Sequence, residues 1–407
     1  MQIIRPIAAH ALFGANPRIL GVETDSAYFN QFHRVRALVE YRHSGGDWTV
    51  ATELETPVHD RRVYFDLTSL FPFAATPPVT VTKNATPSHT SAGEYRITLD
   101  ELLGTDPVPI DTTSYTNYAL GGAVGTVAAR SHNNQFHLIE NAVLGVTPTE
   151  REVSAATPLW LTWYAMSELG QFPDSPPRTT PTYRNVTLEL DDGSTVQITV
   201  GDTTDNPTIL RSRQGECYHI PVGYEQMNLD AHVPAGRWVL AYRVRIEAAT
   251  DFTDAQNNPV FVQSQEYRFV IDHDSRFWEP RALVFENSRC GIDVVELRGK
   301  TQHTVRAESE SYDAPELLDA LPTDHRARTV GNTSRAAVTS STGWRPRTEA
   351  VGWIADLLHS TRVWEWTPDR EQLLPVRITS RQLRTHDDDR DLAALEITYE
   401  HEQNRGY

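Results

Sequence analysis

Apolar and polar residues alternate along short stretches through the first two thirds of the chain. Val35, Ala37, Val39 and Tyr41 alternate with Arg36, Leu38, Glu40 and Arg42, a period of two broken at one position. The turn-forming Ser44-Gly45-Gly46-Asp47 and then Trp48-Thr49-Val50 follow. A period of two puts alternate side chains on one face of a pleated strand, so this pattern predicts a hairpin. Residues 63–67, 79–82 and 95–99 predict further short strands at similar spacing, as a sandwich requires. From Gly104 to about Arg130 the texture changes: Asp106-Pro107-Val108-Pro109 reads as extended and residues 120–125 are glycine-rich. That glycine stretch lacks the Gly-Lys-Ser/Thr ending and the strand–helix frame of a phosphate loop, and reads as a loop or inter-domain crossing.

A second strand-rich block starts at Leu159-Trp160-Leu161-Thr162-Trp163-Tyr164 and passes a proline-rich excursion (Pro173, Pro176, Pro177, Pro181). Val186, Leu188 and Leu190 then lead into Asp191-Asp192-Gly193-Ser194, and Val196, Ile198 and Val200 lead out, the clearest hairpin in the chain. Trp238, Leu240, Tyr242, Val244 and Ile246 alternate strictly, as do Tyr267, Phe269 and Ile271. The last part is mixed. Residues 294–297, 375–378 and 395–400 are strand-like, and the last two flank the acidic His386-Asp387-Asp388-Asp389-Arg390-Asp391, which reads as their turn. Residues 315–320 suggest a short helix. A longer one is predicted over 349–359, with Thr348 as N-cap and Val351, Ile354 and Leu358 on one face beside Leu357. No internal repeat stands out.

The expected fold is therefore mainly β. Two β-sandwich-like domains, 1–120 and 121–280, precede a smaller α+β C-terminal domain, 281–407. A length of 407 residues at about 150 per domain agrees with two or three domains.

Charge narrows the partners. The net charge of −17 disfavours nucleic acid and anionic lipid, both of which are bound through basic surfaces. The positive charge is almost all arginine, the lysines being Lys83 and Lys300. No apolar run approaches the roughly 20 residues of a membrane span. Met1-Gln2-Ile3-Ile4-Arg5-Pro6 does not open a secretory signal, so a soluble product made in the cytoplasm is expected, without membrane insertion.

Candidate chemistry is sparse. There is no HExxH, no G-x-S-x-G and no Walker sequence, and no catalytic residue, metal ligand or cofactor is assigned. Cys217 and Cys290 form no CxxC and read as reduced, buried thiols, with a disulfide between them left open. The consecutive aspartates of 386–391 diverge instead of converging on a cation, and Asp251, Asp254 and Asn257 are spaced by three, not the two of an EF-hand loop. A carboxylate pair of glycosidase type is not decidable from sequence. The aromatic groups Trp160, Trp163 and Tyr164, and Trp344, Trp353, Trp364 and Trp366, fit core packing first, a subunit interface second and a ligand platform third.

The order of features in the last third is more specific. Phe285-Glu286-Asn287-Ser288-Arg289-Cys290-Gly291-Ile292-Asp293 is followed by a strand, Arg306 and Tyr312, then by residues 353–360 and 375–378. With an early strand, Phe65-Asp66-Leu67 and Gly121-Gly122 before the second β block, this layout resembles tail-region structural proteins of phages and prophages of Bacteroidetes-type bacteria. The resemblance covers most of the chain in outline. It implies a non-enzymatic virion role at a tail tip, baseplate or fibre, with assembly in the host cytoplasm. The implied partners are other tail proteins, copies of the chain itself and a host surface glycan or receptor. A glycan- or receptor-binding adhesin and a polysaccharide-degrading enzyme are the alternative readings.

Overall fold

Backbone N–H and C=O groups that leave water must be paired, and this chain pairs them in five sheets among its described residues. The structure, a computed structural model, describes residues 1–5, 7, 11–12, 18–24, 32–43, 46–68, 70–75, 77–78, 81, 84–105, 107–121, 143–165, 179–200, 208–213, 215–253, 259–273, 281–313, 327–343, 345–369, 372–384 and 392–402. It is mainly β, with several sheets and one α-helix near the C-terminus among those residues. Two compact units form: Met1–His273 with Val284–Val294, and Asp274–Leu283 with Val295–Tyr407.

In the first unit the expected hairpin forms from strands Arg34–His43 and Thr49–Pro57. It belongs to a five-stranded sheet ordered Ala11–Leu12, Asp111–Leu120, Ala92–Leu102, Arg34–His43, Thr49–Pro57. One face buries Val35, Ala37, Val39, Tyr95, Ile97 and Leu99. The other carries cross-strand ion pairs at directly opposed positions: Arg42–Glu94 at 2.6 Å, Arg96–Glu40 at 2.7 Å and Arg36–Asp100 at 2.6 Å. The Trp48 ring lies 4.6 Å from the guanidinium carbons of both Arg42 and Arg96. A planar guanidinium can fork onto a carboxylate and stack on an aromatic ring, which an ammonium cannot, so the arginine bias has a structural use here.

A seven-stranded sheet repeats this division of faces. Its order is Glu150–Val153, Tyr267–Ile271, Val239–Thr253, Thr179–Leu190, Thr195–Thr199, with Thr208–Arg213 beside Thr179–Leu190 and Pro259–Gln263 beside Val239–Thr253. The predicted hairpin over 186–200 turns at Gly193, whose φ of 80° suits glycine, and Asp192 accepts from the Ser194 amide at 2.9 Å. Val186, Leu188, Tyr242, Val244 and Phe269 are buried, and Tyr242 stacks on Phe269 at 5.1 Å. The opposite face carries Glu189 between Arg243 (2.6 Å) and Arg268 (2.7 Å). Two three-stranded sheets complete the unit: Gln2–Arg5, Ile19–Glu23 and Arg62–Asp66, and Trp160–Tyr164, Cys217–Pro221 and Thr86–Ser88.

Strand Asp111–Leu120 pairs along Ala92–Leu102 and ends where the glycine-rich stretch begins, a strand that the sequence pattern does not predict. Two expectations are corrected. Val81, the one described residue of the strand expected at 79–82, lies outside any strand. The helix is Arg347–His359, so Thr348 stands within it and not at its cap. Trp353, Ile354 and Leu357 are its buried residues; the side chain of Val351 is outside the description. Residues 122–130, 315–320 and 385–391 lie outside the described residues.

The sheet of the second unit is eight-stranded, ordered Ile292–Leu297, Arg281–Glu286, Val363–Trp366, Leu374–Arg384, Leu392–His401, Ala327–Ser341, Gln302–Asp313, with Arg345–Pro346 also pairing to Leu392–His401. Residues 284–294 of its first two strands and their turn belong to the first unit. The last two strands outrun the sheet. Ala327–Ser341 pairs with Leu392–His401 only from Ala337 to Ser341. Its pairing with Gln302–Asp313 extends from Thr339↔Gln302 to Ala327↔Asp313. Among the described residues, 305–313 and 327–336 therefore form a two-stranded ribbon with no third strand on either edge.

Candidate functional site

Among the described residues, a convergence of ionisable side chains around a buried carboxylate lies on the sheet of the second unit. Strand Val363–Trp366 buries Glu365, whose side chain is 1% exposed. Arg281 enters from the neighbouring strand and donates to Glu365 Oε1 at 2.7 Å. Tyr399 and His401, two apart on Leu392–His401 and so on one face, supply the rest. The Tyr399 hydroxyl donates to Oε1 at 2.6 Å, and His401 Nε2 contacts Oε2 at 2.5 Å. Arg281 Nη2 also meets His303 Nε2 at 3.3 Å. Strands Arg281–Glu286 and Gln302–Asp313 lie near opposite ends of the strand order, so this contact requires the sheet to curl.

The electrostatics follow from that geometry. Burial alone would raise the Glu365 pKa, but the hydrogen bonds from His401 and Tyr399 and the charges of His401 and Arg281 outweigh it and hold the carboxyl at about 2. Burial, reinforced by the facing carboxylate, pushes the Tyr399 phenol far above its ordinary value, which keeps it a neutral donor. Burial works against the Arg281 charge, yet Glu365 raises its pKa on balance. A carboxylate that orients an imidazole is half of a hydrolytic relay, which also needs a nucleophile on the other ring nitrogen. No hydroxyl or thiol among the described residues hydrogen-bonds to His401. The cluster ties together three strands of one sheet.

A second polar centre is the turn 287–291 in the first unit. Asn287 Nδ2 donates to the Leu144 carbonyl at 2.7 Å and to Asp293 at 2.6 Å, while its Oδ1 accepts from the amides of Arg289 and Gly291. Asp293 accepts from the Val146 amide at 3.0 Å, and Arg289 donates to the Gly145 carbonyl at 3.0 Å. Cys290 sits there at a φ of 61°, an uncommon conformation for a residue with a Cβ. A Cβ on Gly121 would collide with the Cys290 side chain, and one on Gly291 with the Leu144 carbonyl, so close backbone approach accounts for both glycines. This turn is the segment that carried the family resemblance, and its polar groups are consumed in holding 144–146.

Other buried ionic groups are similarly engaged. His33 and Glu101 pair at 2.7 Å, Arg184 donates to the Pro221 carbonyl, and Arg151 donates to the Val294 carbonyl at 2.7 Å with Phe269 5.6 Å from its guanidinium. Cys217 and Cys290 are both buried and free, so no disulfide joins them. Trp160, Trp163, Tyr164, Trp353 and Trp366 are buried. Trp364 is partly exposed, with the Arg362 guanidinium 5.6 Å from its ring; Trp344 lies outside the described residues. The 386–391 cluster, Asp254 and Asn257 also lie outside them, as does the side chain of Asp251. Among the described residues no three His, Cys, Asp or Glu side chains are grouped to hold a metal ion, and no helix is long and apolar enough to cross a membrane.

The sequence reading had singled out none of Arg281, Glu365, Tyr399, His33, Glu101 or Arg184. The available signal was a charge standing at a core-facing position of a strand, as Glu365 does two residues after Val363. No family model matches the chain, and no curated protein is significantly similar to it.

Proposed function

We propose that the chain is a non-enzymatic structural protein of an assembled particle, of the phage tail-region type, built as two sandwich-like domains (1–120 and 121–280) and an α+β domain (281–407). The observation that carries this reading is the ribbon of residues 305–313 and 327–336. A two-stranded hairpin is at best marginally stable alone in water. An arm of this length, about 30 Å at about 3.4 Å per residue, has a physical reason to exist when a partner covers it. Rigid sheets, of which the five- and seven-stranded ones each carry one apolar face and one ion-paired face, are the scaffold that suits such an arm. Its partners are other tail proteins and further copies of the chain, assembled in the host cytoplasm and resident in the virion.

A host glycan or receptor is favoured as a second partner by Trp238 and Leu240, exposed at 56% and 44% beside the 191–194 turn, where Arg237 pairs with Asp192 at 2.9 Å. An exposed indole beside fixed polar groups suits a sugar face. Electron microscopy of the labelled chain on purified particles tests the main reading. Label at one end of the particle is expected, and particles that lack the chain would overturn it. Loss of host-cell binding in a Trp238→Ala variant that still assembles would support the second partner; unchanged binding would remove it.

A further inference from the structure

The alternation of Trp238, Leu240, Tyr242, Val244 and Ile246 would put all five on the core face of a regular strand. The structure buries only the last three. Leu190 pairs with Val239 and Glu189 with Ala241, so Leu240 is the extra residue of a bulge, and the bulge reverses the faces. Val239 turns into the core, and its carbonyl accepts from His273 Nε2 at 2.8 Å. Trp238 and Leu240 turn out to solvent. Exposing an indole and a leucine side chain forfeits hydrophobic stabilisation, so the bulge needs a reason outside the fold.

The surroundings of Trp238 are fixed and polar. The turns Leu190–Ser194 and Pro234–Arg237, the second with Gly236 at a φ of 80°, are tied together. The Asp191 amide donates to the Trp238 carbonyl at 3.1 Å, and the Trp238 amide donates to Asp191 Oδ1 at 3.2 Å. The Arg237 guanidinium lies 2.9 Å from Asp192 and 3.6 Å from Asp191. Asp192 also accepts from the amide and hydroxyl of Ser194. Arg237 and Asp192 are both exposed beside the indole.

Resting on the reading of Trp238 as a host contact, we infer that this platform binds a neutral sugar ring. The apolar face of the ring lies on Trp238 and Leu240, and its hydroxyls meet Arg237 and Asp192. A hydroxyl both donates and accepts, and a guanidinium beside a carboxylate offers one partner of each kind. Asp191, Asp192 and Arg237 sum to −1, which disfavours uronic and other acidic sugars. Two apolar side chains fall short of the roughly 800 Å² per partner of a stable protein interface, but they match one ring.

The test titrates the full chain by calorimetry with neutral hexasaccharides of glucose, galactose, mannose or N-acetylglucosamine, and with hexagalacturonate. At least one neutral probe is expected to bind, and the uronate is not. Trp238→Ala is expected to weaken the neutral probe about tenfold, and Arg237→Gln to weaken it as well. Asp191→Asn with Asp192→Asn leaves Arg237 as the one charge of the three and is expected to admit the uronate. Amide exchange on wild type keeps the test decisive where a variant misfolds: a bound neutral probe must raise protection over 190–194 and 236–241. No neutral probe bound at millimolar concentration, a wild-type preference for the uronate, affinity unchanged in Trp238→Ala, or protection confined to other segments would each overturn the inference. These failures are separable from that of the host-contact reading. Host-cell binding that needs Trp238 while no neutral probe binds removes the sugar and leaves the contact, as a protein receptor would give. A neutral probe on the platform, with host-cell binding unchanged in Trp238→Ala, removes the host contact and leaves the sugar site.

Discussion

Replacing Glu365 with glutamine keeps the shape of the side chain and removes its charge, leaving Arg281 without its carboxylate and His401 and Tyr399 facing an amide. The size of the effect follows from the carboxyl itself. Its pKa falls from the ordinary 4.5 to about 2 in the folded protein, and the side chain is 1% exposed, so solvent screening removes little. That shift corresponds to about 3 kcal/mol of stability at neutral pH. It agrees with the roughly 3–5 kcal/mol lost when one member of a buried ion pair is removed.

The sign fixes the pH window. A folded pKa below the unfolded one means that the unfolded chain takes up the proton first. The stabilisation is complete above about 4.5 and drains away as pH falls toward about 2. Urea unfolding of wild type and Glu365→Gln, followed by tryptophan fluorescence, reads this directly. Trp353, Trp364 and Trp366 report on the same unit. At neutral pH the variant is expected to lose about 3 kcal/mol, and near the folded pKa the two proteins are expected to converge. A difference that persists unchanged from neutral to strongly acid pH would refute the argument, because it would show that glutamine disrupts packing and that the charge contributes nothing.

Three further outcomes follow from the same geometry. Asn287→Ala removes the donor to the Leu144 carbonyl and to Asp293 and the acceptor of the Arg289 and Gly291 amides, and is expected to cost about 2–4 kcal/mol in a urea titration; a loss under about 0.5 kcal/mol would mean that the turn does not hold 144–146. Cys217 and Cys290 are buried, and burial pushes both thiols up, so a thiol reagent at mildly alkaline pH is expected to label neither in the native chain and both in denaturant; native labelling would contradict their placement. Glu189→Gln breaks contacts to Arg243 and Arg268 on a solvent-facing sheet surface, and is expected to shift stability by no more than about 1 kcal/mol, with the remaining difference shrinking in salt.

Hairpins were legible where two local signals coincided. At 34–57 and 186–200, period-two alternation and turn residues point to the same register, and the structure forms both. Strand Asp111–Leu120 lacked the first signal, since its Thr, Ser and Asn positions offer no apolar face, and its identity comes from pairing with Ala92–Leu102. The ribbon lacked it more completely. An element beyond its sheet has no core side, so Arg306-Ala307-Glu308-Ser309-Glu310 carries no hydrophobic period to detect.

The buried polar centres follow another logic, and here the alternation held more than its apolar members. Glu101 continues the parity of Tyr95, Ile97 and Leu99; Arg151 shares that of Val153; Arg184 that of Val186, Leu188 and Leu190; Glu365 that of Val363. Each is a charge at a core-facing position, where desolvation costs several kcal/mol unless a partner meets it. Each has one: His33 for Glu101, the Val294 carbonyl for Arg151, the Pro221 carbonyl for Arg184, and Arg281, Tyr399 and His401 for Glu365. A charge in phase with the core therefore announces a partner but not its address. Arg281 and His401 flank Glu365 from 84 and 36 residues away in sequence, and only the sheet order brings them to one carboxylate. The cost of burying these groups unpaired is what binds distant strands into a single register, so each such position reads as a long-range constraint on the fold before it reads as a candidate for chemistry.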